Sequence, residues 1–221
     1  MRSVIFDLDG TLADTSGDLV AAANATFAGL ALSVRLDPVA DAGVAMRGGR
    51  AMLELGFARA GRPLEDAILI EAYPGLLDHY ARDICRHSRL YPGAMDAVEE
   101  LSAMGYRVGV CTNKPEGLAE SLLQALGVRD SFASLVGGDT LPVRKPDPAP
   151  FIESVRRAGG DPSRACLVGD TDTDHGTARA AGAPSLLVTF GPGAEAVRAL
   201  GPAHFIDHFT DLPATVAALD L

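Results

Sequence analysis

The chain has 221 residues, of which 48% are hydrophobic and 22% are charged, a composition typical of a globular protein with a buried core. Its formal net charge of -10 disfavours binding to nucleic acid, whose phosphate backbone attracts basic surfaces. No apolar segment reaches the roughly 18 residues of a membrane-spanning helix, and Asp7 interrupts the first apolar run before a signal-peptide core develops, so we expect a cytoplasmic protein. The three cysteines form no close pair, which predicts free thiols.

The first predicted element is a short buried strand over residues 4–6, which ends abruptly at Asp7. Asp9 follows two positions later, and Gly10 comes directly after it. Two carboxylates this close repel each other, so we expect the pair either to bind a metal ion or to divide the roles of acid and base. A third interpretation is a helix cap, but residues 14–16 are better placed for that role because they directly precede an apolar-periodic stretch.

The segment from residue 16 to residue 88 shows only helical periodicity, which predicts an all-helical domain inserted after the first strand. The core domain would then comprise residues 1–15 and 89–221. The Asp37-Pro38 pair is typical of an N-cap and a first helical turn, whereas Pro74 predicts a kink or break inside a helix. The predicted helices span residues 18–30, a segment that begins at residue 37, residues 49–60 and residues 65–86.

After this insertion, short apolar runs alternate with helical segments that end at glycine, a pattern typical of parallel strands and their connecting helices. The alternation predicts an α/β fold with a doubly wound, Rossmann-like parallel sheet and the inserted helical domain. His204 and His208 have the spacing of a helical metal site, but their segment is predicted as a loop or strand end. The predicted strands are 107–111, 134–136, 165–168 and 185–190, and the predicted helices are 94–104, 116–126, 150–158 and 174–181.

Chemically active side chains occur at the carboxyl ends of these strands, which is where open parallel sheets bind their ligands. Asp7, Thr112 with Asn113, and Asp170 each end a predicted strand, and Lys145 lies in the loop before the helix at residue 150. Because neighbouring strands are about 4.8 Å apart, these groups are expected to converge. Acids, a hydroxyl and a lysine suit phosphoryl transfer, which depends on positioning and on neutralising the phosphoryl oxygens.

The matching cation is Mg²⁺, because it prefers oxygen ligands and binds one or two carboxylates together with water and substrate phosphate. Asp7, Asp170 and a backbone carbonyl near Asp9 would provide such ligands, and the metal would offset the repulsion among the acids. Asp172 and Asp174 extend the acidic cluster. A helix N-terminus lined with Asp to suit the macrodipole accounts for at least one of these two.

Four ordered motifs carry a resemblance to a known family: DLDGT at 7–11, TNK at 112–114, KP at 145–146, and GDxxxD, whose acids are Asp170 and Asp174. In this order and spacing the chain resembles the haloacid dehalogenase-like hydrolase superfamily along its entire length. The helical insertion is similar to the cap domain that follows the first motif in that family. More narrowly, the chain resembles phosphoglycolate phosphatases in four segments: YPG at 91–93, TNKP at 112–115, GGD at 137–139 and KPDP at 145–148.

The resemblance implies a catalytic role for each core residue. Asp7 would be the nucleophile that takes the phosphoryl group, and Asp9 would act as the general acid and base. Thr112 would donate a hydrogen bond to the phosphoryl oxygens, with help from the Asn113 amide. Lys145 would neutralise those oxygens and keep the nucleophile ionised.

The resemblance also implies a metal site, formed by Asp7, Asp9, Asp170 and Asp174. Asp170 is similar to the Mg²⁺ ligand of the family, and Asp174 matches a second acid that supports the metal directly or through water. Asp172 falls at a variable position of the motif, where it would only be solvated.

A substrate-binding role is expected for Arg47 and Arg50, which lie between two predicted helices of the insertion. Arginine suits bidentate contacts with a carboxylate, so a small phosphorylated acid such as 2-phosphoglycolate fits, although both residues also fit an exposed helix boundary. Gly10 would let the backbone turn tightly beside the substrate phosphate, and an ordinary turn would favour the same residue. The expected partner is a small phosphorylated metabolite, with no nucleic acid or membrane, bound by a monomer or homodimer.

Other functions are compatible with parts of this pattern. A phosphosugar mutase shares the scaffold, although DGT rather than DGV at residues 9–11 resembles the phosphatases. A dehalogenase of this fold lacks the acid found here at Asp9. A phospho-accepting signalling receiver gathers similar groups around Mg²⁺, but it is about half this length and has no cap. The motifs alone do not separate the enzyme from a catalytically silent binding module.

Overall fold

The computed structural model describes residues 1–219 and residue 221. The chain divides into two compact units, which we call the core unit (Met1–Asp14 with Leu90–Leu221) and the helical unit (Thr15–Arg89). Within the described residues, no helix is both long enough and apolar enough to cross a membrane. The cysteines are free thiols, as predicted.

The core unit contains a six-stranded parallel sheet, which confirms the predicted α/β class. Its strands are β1 (Ser3–Phe6), β2 (Arg107–Cys111), β3 (Ser134–Val136), β4 (Ala165–Gly169), β5 (Ser185–Val188) and β6 (His204–Ile206). Strand β5 ends two residues earlier than the sequence predicts. Strand β6 lies in the segment predicted as a loop or strand end. Two further strands of two residues each are Ala13–Asp14 and Arg89–Leu90.

The spatial order of the strands is β3-β2-β1-β4-β5-β6. The chain therefore builds outward from β1 to one edge, returns to the other side of β1, and builds to the second edge. This reversal creates a topological switch point beside β1, where sheets of this kind bind their ligands. The register places Phe6 opposite both Val110 and Val168, so the carboxyl ends of β1, β2 and β4 are level with one another.

The helical unit consists of α1 (Ser16–Gly29), α2 (Ala42–Ala45), α3 (Gly49–Arg59) and α4 (Asp66–Arg82). Helix α3 packs closely on α1, because Gly56 leaves room for the ring of Phe27. The prediction of a helix that begins at Asp37 is wrong. The Asp37 carboxylate accepts hydrogen bonds from the backbone N–H groups of Val39 and Ala40, which closes a turn, and α2 begins only after Asp41.

Helix α4 ends at Arg82, four residues before the predicted end. Of the kink or break predicted at Pro74, the break does not occur, because the helix continues through this residue. The apolar residues Leu53 and Phe57 of α3 are buried, so they pack the helical unit itself.

The remaining helices belong to the core unit and include four that the sequence predicts. They are α5 (Ala94–Ala103), α6 (Glu116–Ala125), α7 (Ala149–Arg157), α8 (Asp172–Ala181), α9 (Ala194–Val197) and α10 (Leu212–Ala218), with short 3-10 helices at Arg129–Ser131, Pro162–Arg164 and Phe209–Asp211. Phe151 and Val155 of α7 pack with Ile5 and Leu167 in one buried cluster. This packing fixes the central strands whose ends carry the polar residues.

Candidate active site

Three polar residues follow the three adjacent strands at the switch point. Asp7 comes directly after β1, and its backbone N–H donates a hydrogen bond of 2.8 Å to the carbonyl of Val168 in β4. Thr112 comes directly after β2, and its N–H donates over 2.9 Å to Val136 in β3. Asp170 comes directly after β4. The ladder thus holds the backbone of the predicted site residues at one edge of the sheet.

Asp7, Asp170 and Asp174 form a buried carboxylate cluster, in which one oxygen from each residue lies within 4.8 Å of the others. The hydroxyl of Thr11 donates a hydrogen bond of 2.8 Å to Oδ1 of Asp170. Oδ2 of Asp170 is buried and, within the described residues, has no hydrogen-bond partner. A buried carboxylate oxygen without a donor is costly unless a cation is bound, so this arrangement fits a divalent metal ion.

Lys145 lies inside the cluster and is almost completely buried. Its Nζ is 2.5 Å from Oδ1 of Asp174 and 3.0 Å from Oδ1 of Asp7. Burial alone would lower the pKa of this ammonium, but the carboxylates of Asp174 and Asp7 outweigh that effect and raise it. One ammonium faces three carboxylates, so the fully ionised cluster keeps a formal charge of -2, which a divalent cation would neutralise.

The two carboxyl groups nearest the expected metal have raised pKa values. Burial, followed by the charges of Asp174 and Asp9, raises the pKa of Asp7 to about 6 against the lowering effect of Lys145. Burial, together with the charges of Asp174 and Asp7, raises the pKa of Asp170 well above its usual range. A bound cation would favour the ionised form of both groups.

Asp174 is the third residue of α8, and both of its carboxylate oxygens are engaged. Oδ1 accepts from Lys145, while Oδ2 accepts from the Thr171 hydroxyl at 2.6 Å and from the backbone N–H groups of Asp170 and Thr171. This is a capping box, which explains why an acid is found at this position of the helix. Gly169 permits the arrangement, since a Cβ there would lie 2.3 Å from Cβ of Asp174. Asp172, in contrast, is exposed.

Asp9 is not a member of the buried cluster of Asp7, Asp170 and Asp174, but its charge is close enough to raise the pKa of Asp7. Its Oδ1 is 3.0 Å from Nζ of Lys114, whose side chain is only 4% exposed. The role of Asp9 in the metal site, through its carboxylate or through the backbone carbonyl near it, stays a prediction. Sequence reasoning missed Lys114, although the residue stands in the quoted TNK motif, because only the first two residues of that motif were given roles.

Asn113, Gly10 and Thr112 are each predicted to lie beside the substrate phosphate, and the structure gives their hydrogen bonds and backbone conformation. The side-chain amide of Asn113 donates a hydrogen bond of 3.0 Å to the backbone carbonyl of Lys145, so it helps to hold the loop that carries this lysine. Gly10 adopts φ of 81°, a left-handed conformation that favours glycine, and its N–H donates to Ala13. Thr112 is buried, and its Oγ1 accepts a hydrogen bond from the N–H of Lys114.

The two arginines predicted to contact substrate lie in the helical unit. Arg47 is exposed in the short connection between α2 and α3. Arg50 is exposed in α3, and its Nε is 2.8 Å from Oε1 of Glu54, one helical turn further on. An exposed ion pair of this kind is worth little free energy, so Glu54 holds Arg50 only weakly.

Comparisons with known proteins identify relatives of this chain. The family model of haloacid dehalogenase-like hydrolases matches residues 1–182. The chain is 40% identical over 214 residues to a phosphoglycolate phosphatase of Mesorhizobium japonicum, covering 97% of this chain and 94% of that protein. It is also 40% identical over 219 residues to a phosphoglycolate phosphatase of Rhodospirillum rubrum, covering 96% and 89%. The crystal structure of a predicted phosphoglycolate phosphatase from Haemophilus somnus superimposes with a TM-score of 0.80 at 27% identity, covering 96% of each chain.

The chain belongs to the haloacid dehalogenase-like hydrolase family. Its relatives within that family, together with acids, a hydroxyl and a lysine at the switch point of the sheet, make it a phosphatase that hydrolyses phosphoric monoesters.

Proposed function

We propose that this phosphatase hydrolyses 2-phosphoglycolate through a phosphoryl group carried transiently on Asp7. The single observation that best supports the proposal is the pairing of buried Asp7 with Lys145 at 3.0 Å, beside two further carboxylates. A carboxylate nucleophile held against an ammonium is suited to attack an anionic phosphoryl group, because the ammonium offsets the repulsion between the two. The choice of 2-phosphoglycolate as substrate rests on the relatives, which are named phosphoglycolate phosphatases and are 40% identical to this chain.

The reaction proceeds in two displacements. An oxygen of Asp7 attacks phosphorus, the bond between phosphorus and the ester oxygen breaks, and Asp9 gives its proton to the departing glycolate oxygen. A water molecule then attacks phosphorus and loses a proton to Asp9, which releases inorganic phosphate and regenerates the Asp7 carboxylate. The Thr112 hydroxyl, buried at the end of β2, donates a hydrogen bond to the phosphoryl oxygens, and Lys145 neutralises them.

Mg²⁺ is the proposed cofactor, held by Asp7, by Asp170 and by a backbone carbonyl near Asp9. The buried, unpartnered Oδ2 of Asp170 fits this assignment within the described residues. Asp174 acts through its hydrogen bonds, by fixing Lys145 and the backbone of Asp170. When bound, the cation supplies positive charge that neutralises the phosphoryl oxygens.

In this proposal, residues 16–88 are a cap domain, residues 1–15 and 89–221 are the catalytic core, and Arg47 binds the substrate carboxylate. Arg50 contributes by exchanging Glu54 for the substrate. Arg47→Ala is expected to raise KM for 2-phosphoglycolate by about 10-fold or more, as expected when a charged hydrogen bond is lost. Arg35→Ala, an exposed arginine of the same unit, is the matched control. Unchanged turnover by both Arg47→Ala and Arg50→Ala would refute the role of the cap arginines.

The function is tested by measuring phosphate release from a panel of phosphorylated metabolites and p-nitrophenyl phosphate. We expect turnover with Mg²⁺, loss of turnover with EDTA, and a kcat/KM for 2-phosphoglycolate above that of the other metabolites. Absence of turnover for every ester in the presence of Mg²⁺ would instead support a silent binding module. Efficient turnover of the panel without preference for 2-phosphoglycolate would overturn the substrate and leave the chemistry in place.

A further inference from the structure

Lys114 is a buried cation that has no part in the two displacements described above. Its side chain is 4% exposed, and its Nζ lies 3.0 Å from Oδ1 of Asp9, whose side chain is 16% exposed. Taking an ammonium out of water is costly unless it is paired, so loss of this contact would leave a buried charge uncompensated. A long, flexible side chain is thereby fixed against the carboxylate that handles protons.

The backbone around Lys114 is also tightly held. Its N–H donates to Oγ1 of Thr112 over 3.2 Å, and its carbonyl accepts from the N–H of Gly138 over 2.8 Å. Gly138 approaches so closely that a Cβ there would lie 2.3 Å from the carbonyl oxygen of Asn113. The lysine therefore extends from a backbone that is held on both sides, and its buried ammonium is placed by the contact with Asp9.

We propose that Lys114 is a positioning residue that orients the Asp9 carboxylate for proton transfer to the leaving oxygen of the substrate. This inference rests on the proposed role of Asp9 as the general acid and base. Proton transfer requires the carboxylate within hydrogen-bond distance of the ester oxygen, and a misplacement of about 1 Å costs on the order of 100-fold in rate. An ammonium anchored at one carboxylate oxygen removes that freedom and fixes the direction of the group.

The test compares kcat/KM of Lys114→Met with that of the wild type for three esters. These are 2-phosphoglycolate, an alkyl phosphate without a carboxylate chosen from those that the wild type hydrolyses, and p-nitrophenyl phosphate. The value of kcat/KM reports only the steps up to loss of the leaving group. Nitrophenolate leaves without a proton, whereas an alkoxide needs one. We expect a loss of about 100-fold for both alkyl esters and of less than about 5-fold for p-nitrophenyl phosphate.

Other results would overturn the inference. A loss confined to 2-phosphoglycolate would mean that Lys114 binds the substrate carboxylate, and an equal loss for all three esters would mean that it acts on the phosphoryl group or on folding. Lys114→Arg keeps the positive charge and is expected to recover at least part of the activity on alkyl esters. Arg198→Met, which removes an exposed ion pair with Asp207, is the control and should match the wild type.

A second measurement keeps the inference testable if Lys114→Met is unstable. In an Asp9→Asn background, Lys114→Arg should change kcat/KM for p-nitrophenyl phosphate by less than about 2-fold, because the residue acts through Asp9. Any larger change would contradict the inference. Inactivity of the wild type on every ester would instead refute the proposed function, so the two failures are distinguishable.

Discussion

At the scale of single residues, the acids of the cluster differ in how their oxygens are engaged. Both oxygens of Asp174 accept hydrogen bonds, from Lys145 on one side and from the start of α8 on the other. Asp170 keeps one buried oxygen without a partner in the described part of the chain. The same residue type therefore has fully bonded oxygens at one position and an unpartnered oxygen at the other. Burial is the main reason that the pKa values of Asp7 and Asp170 are raised.

The raised pKa of Asp7 leads us to predict how the free energy of unfolding depends on pH. Folding raises this pKa from 3.8 to about 6, so in EDTA the folded state binds the proton more tightly than the unfolded state does. This contribution is fully present below about pH 4 and is lost as pH rises through about 6. Asp7→Asn removes the ionisation and should unfold at a higher temperature than the wild type at pH 7.5, by an amount equivalent to about 1–3 kcal/mol.

The control for this prediction is the pH dependence itself. At pH 4 the wild type carries a largely protonated Asp7, so its difference from Asp7→Asn should nearly vanish. Adding Mg²⁺ at pH 7.5 should stabilise the wild type more than Asp7→Asn. A difference that is the same at both pH values in EDTA would show that ionisation of Asp7 is not the cause.

The positions of the residues that directly follow strands could be predicted. The sequence shows where each buried strand stops, and the carboxyl ends of parallel strands lie at one edge of the sheet. Asp7, Thr112 and Asp170 are examples. Asn113 and Lys114 could not be assigned in this way, since they lie in a loop where the direction of a side chain depends on distant segments. The amide of Asn113 contacts the carbonyl of Lys145, which is 32 residues away in the chain.

At the scale of secondary-structure elements, several glycines are found where two segments of the chain approach each other closely. The hydrophobic periodicity of the sequence does not explain them. Gly56 lies in the middle of α3, where an alanine would usually be preferred. A Cβ at this position would lie 2.1 Å from Cζ of Phe27 in α1. The glycine therefore allows the close approach of α3 to α1.

Gly56→Ala is expected to destabilise the helical unit by about 1–3 kcal/mol, because the fully buried Phe27 ring must move. Denaturant unfolding measures this change. Gly75→Ala in α4 is the matched control, since in the described part of the chain no atom beyond its two chain neighbours and the nearby backbone of its own helix lies within 4 Å of the added Cβ. That variant should be stabilised by about 0.4–1 kcal/mol. Equal effects of the two substitutions would contradict this account of the packing.

Helix boundaries were predictable where a local signal coincides with the tertiary structure. Gly182 follows α8 in a left-handed conformation, and the helix ends as its sequence predicts. At Asp37 the local signal is misleading, because its carboxylate accepts hydrogen bonds from the N–H groups of Val39 and Ala40 and closes a turn. Helix α2 instead begins after Asp41, which is paired with Arg59. A capping residue followed by proline is thus compatible with a turn as well as with a helix.

At the scale of the whole molecule, the strand order creates the site. The chain leaves β1 for β2 and β3, and later returns to add β4 on the other side of β1. Residues 7, 112 and 170 thereby directly follow three adjacent strands, although they are far apart in sequence. The alternating pattern predicts this topology, but it does not predict β6, whose residues are largely exposed and lack the continuous apolar run of the inner strands.

The central claim is that Asp7 carries the phosphoryl group during turnover. The most direct measurement is mass spectrometry of peptides from the enzyme quenched with acid during turnover of 2-phosphoglycolate in Mg²⁺. We predict a phosphorylated peptide that contains Asp7, formed and lost at rates compatible with turnover and absent from Asp7→Asn. Full turnover with no phosphorylated enzyme, or with the phosphoryl group on a residue other than Asp7, would contradict the account.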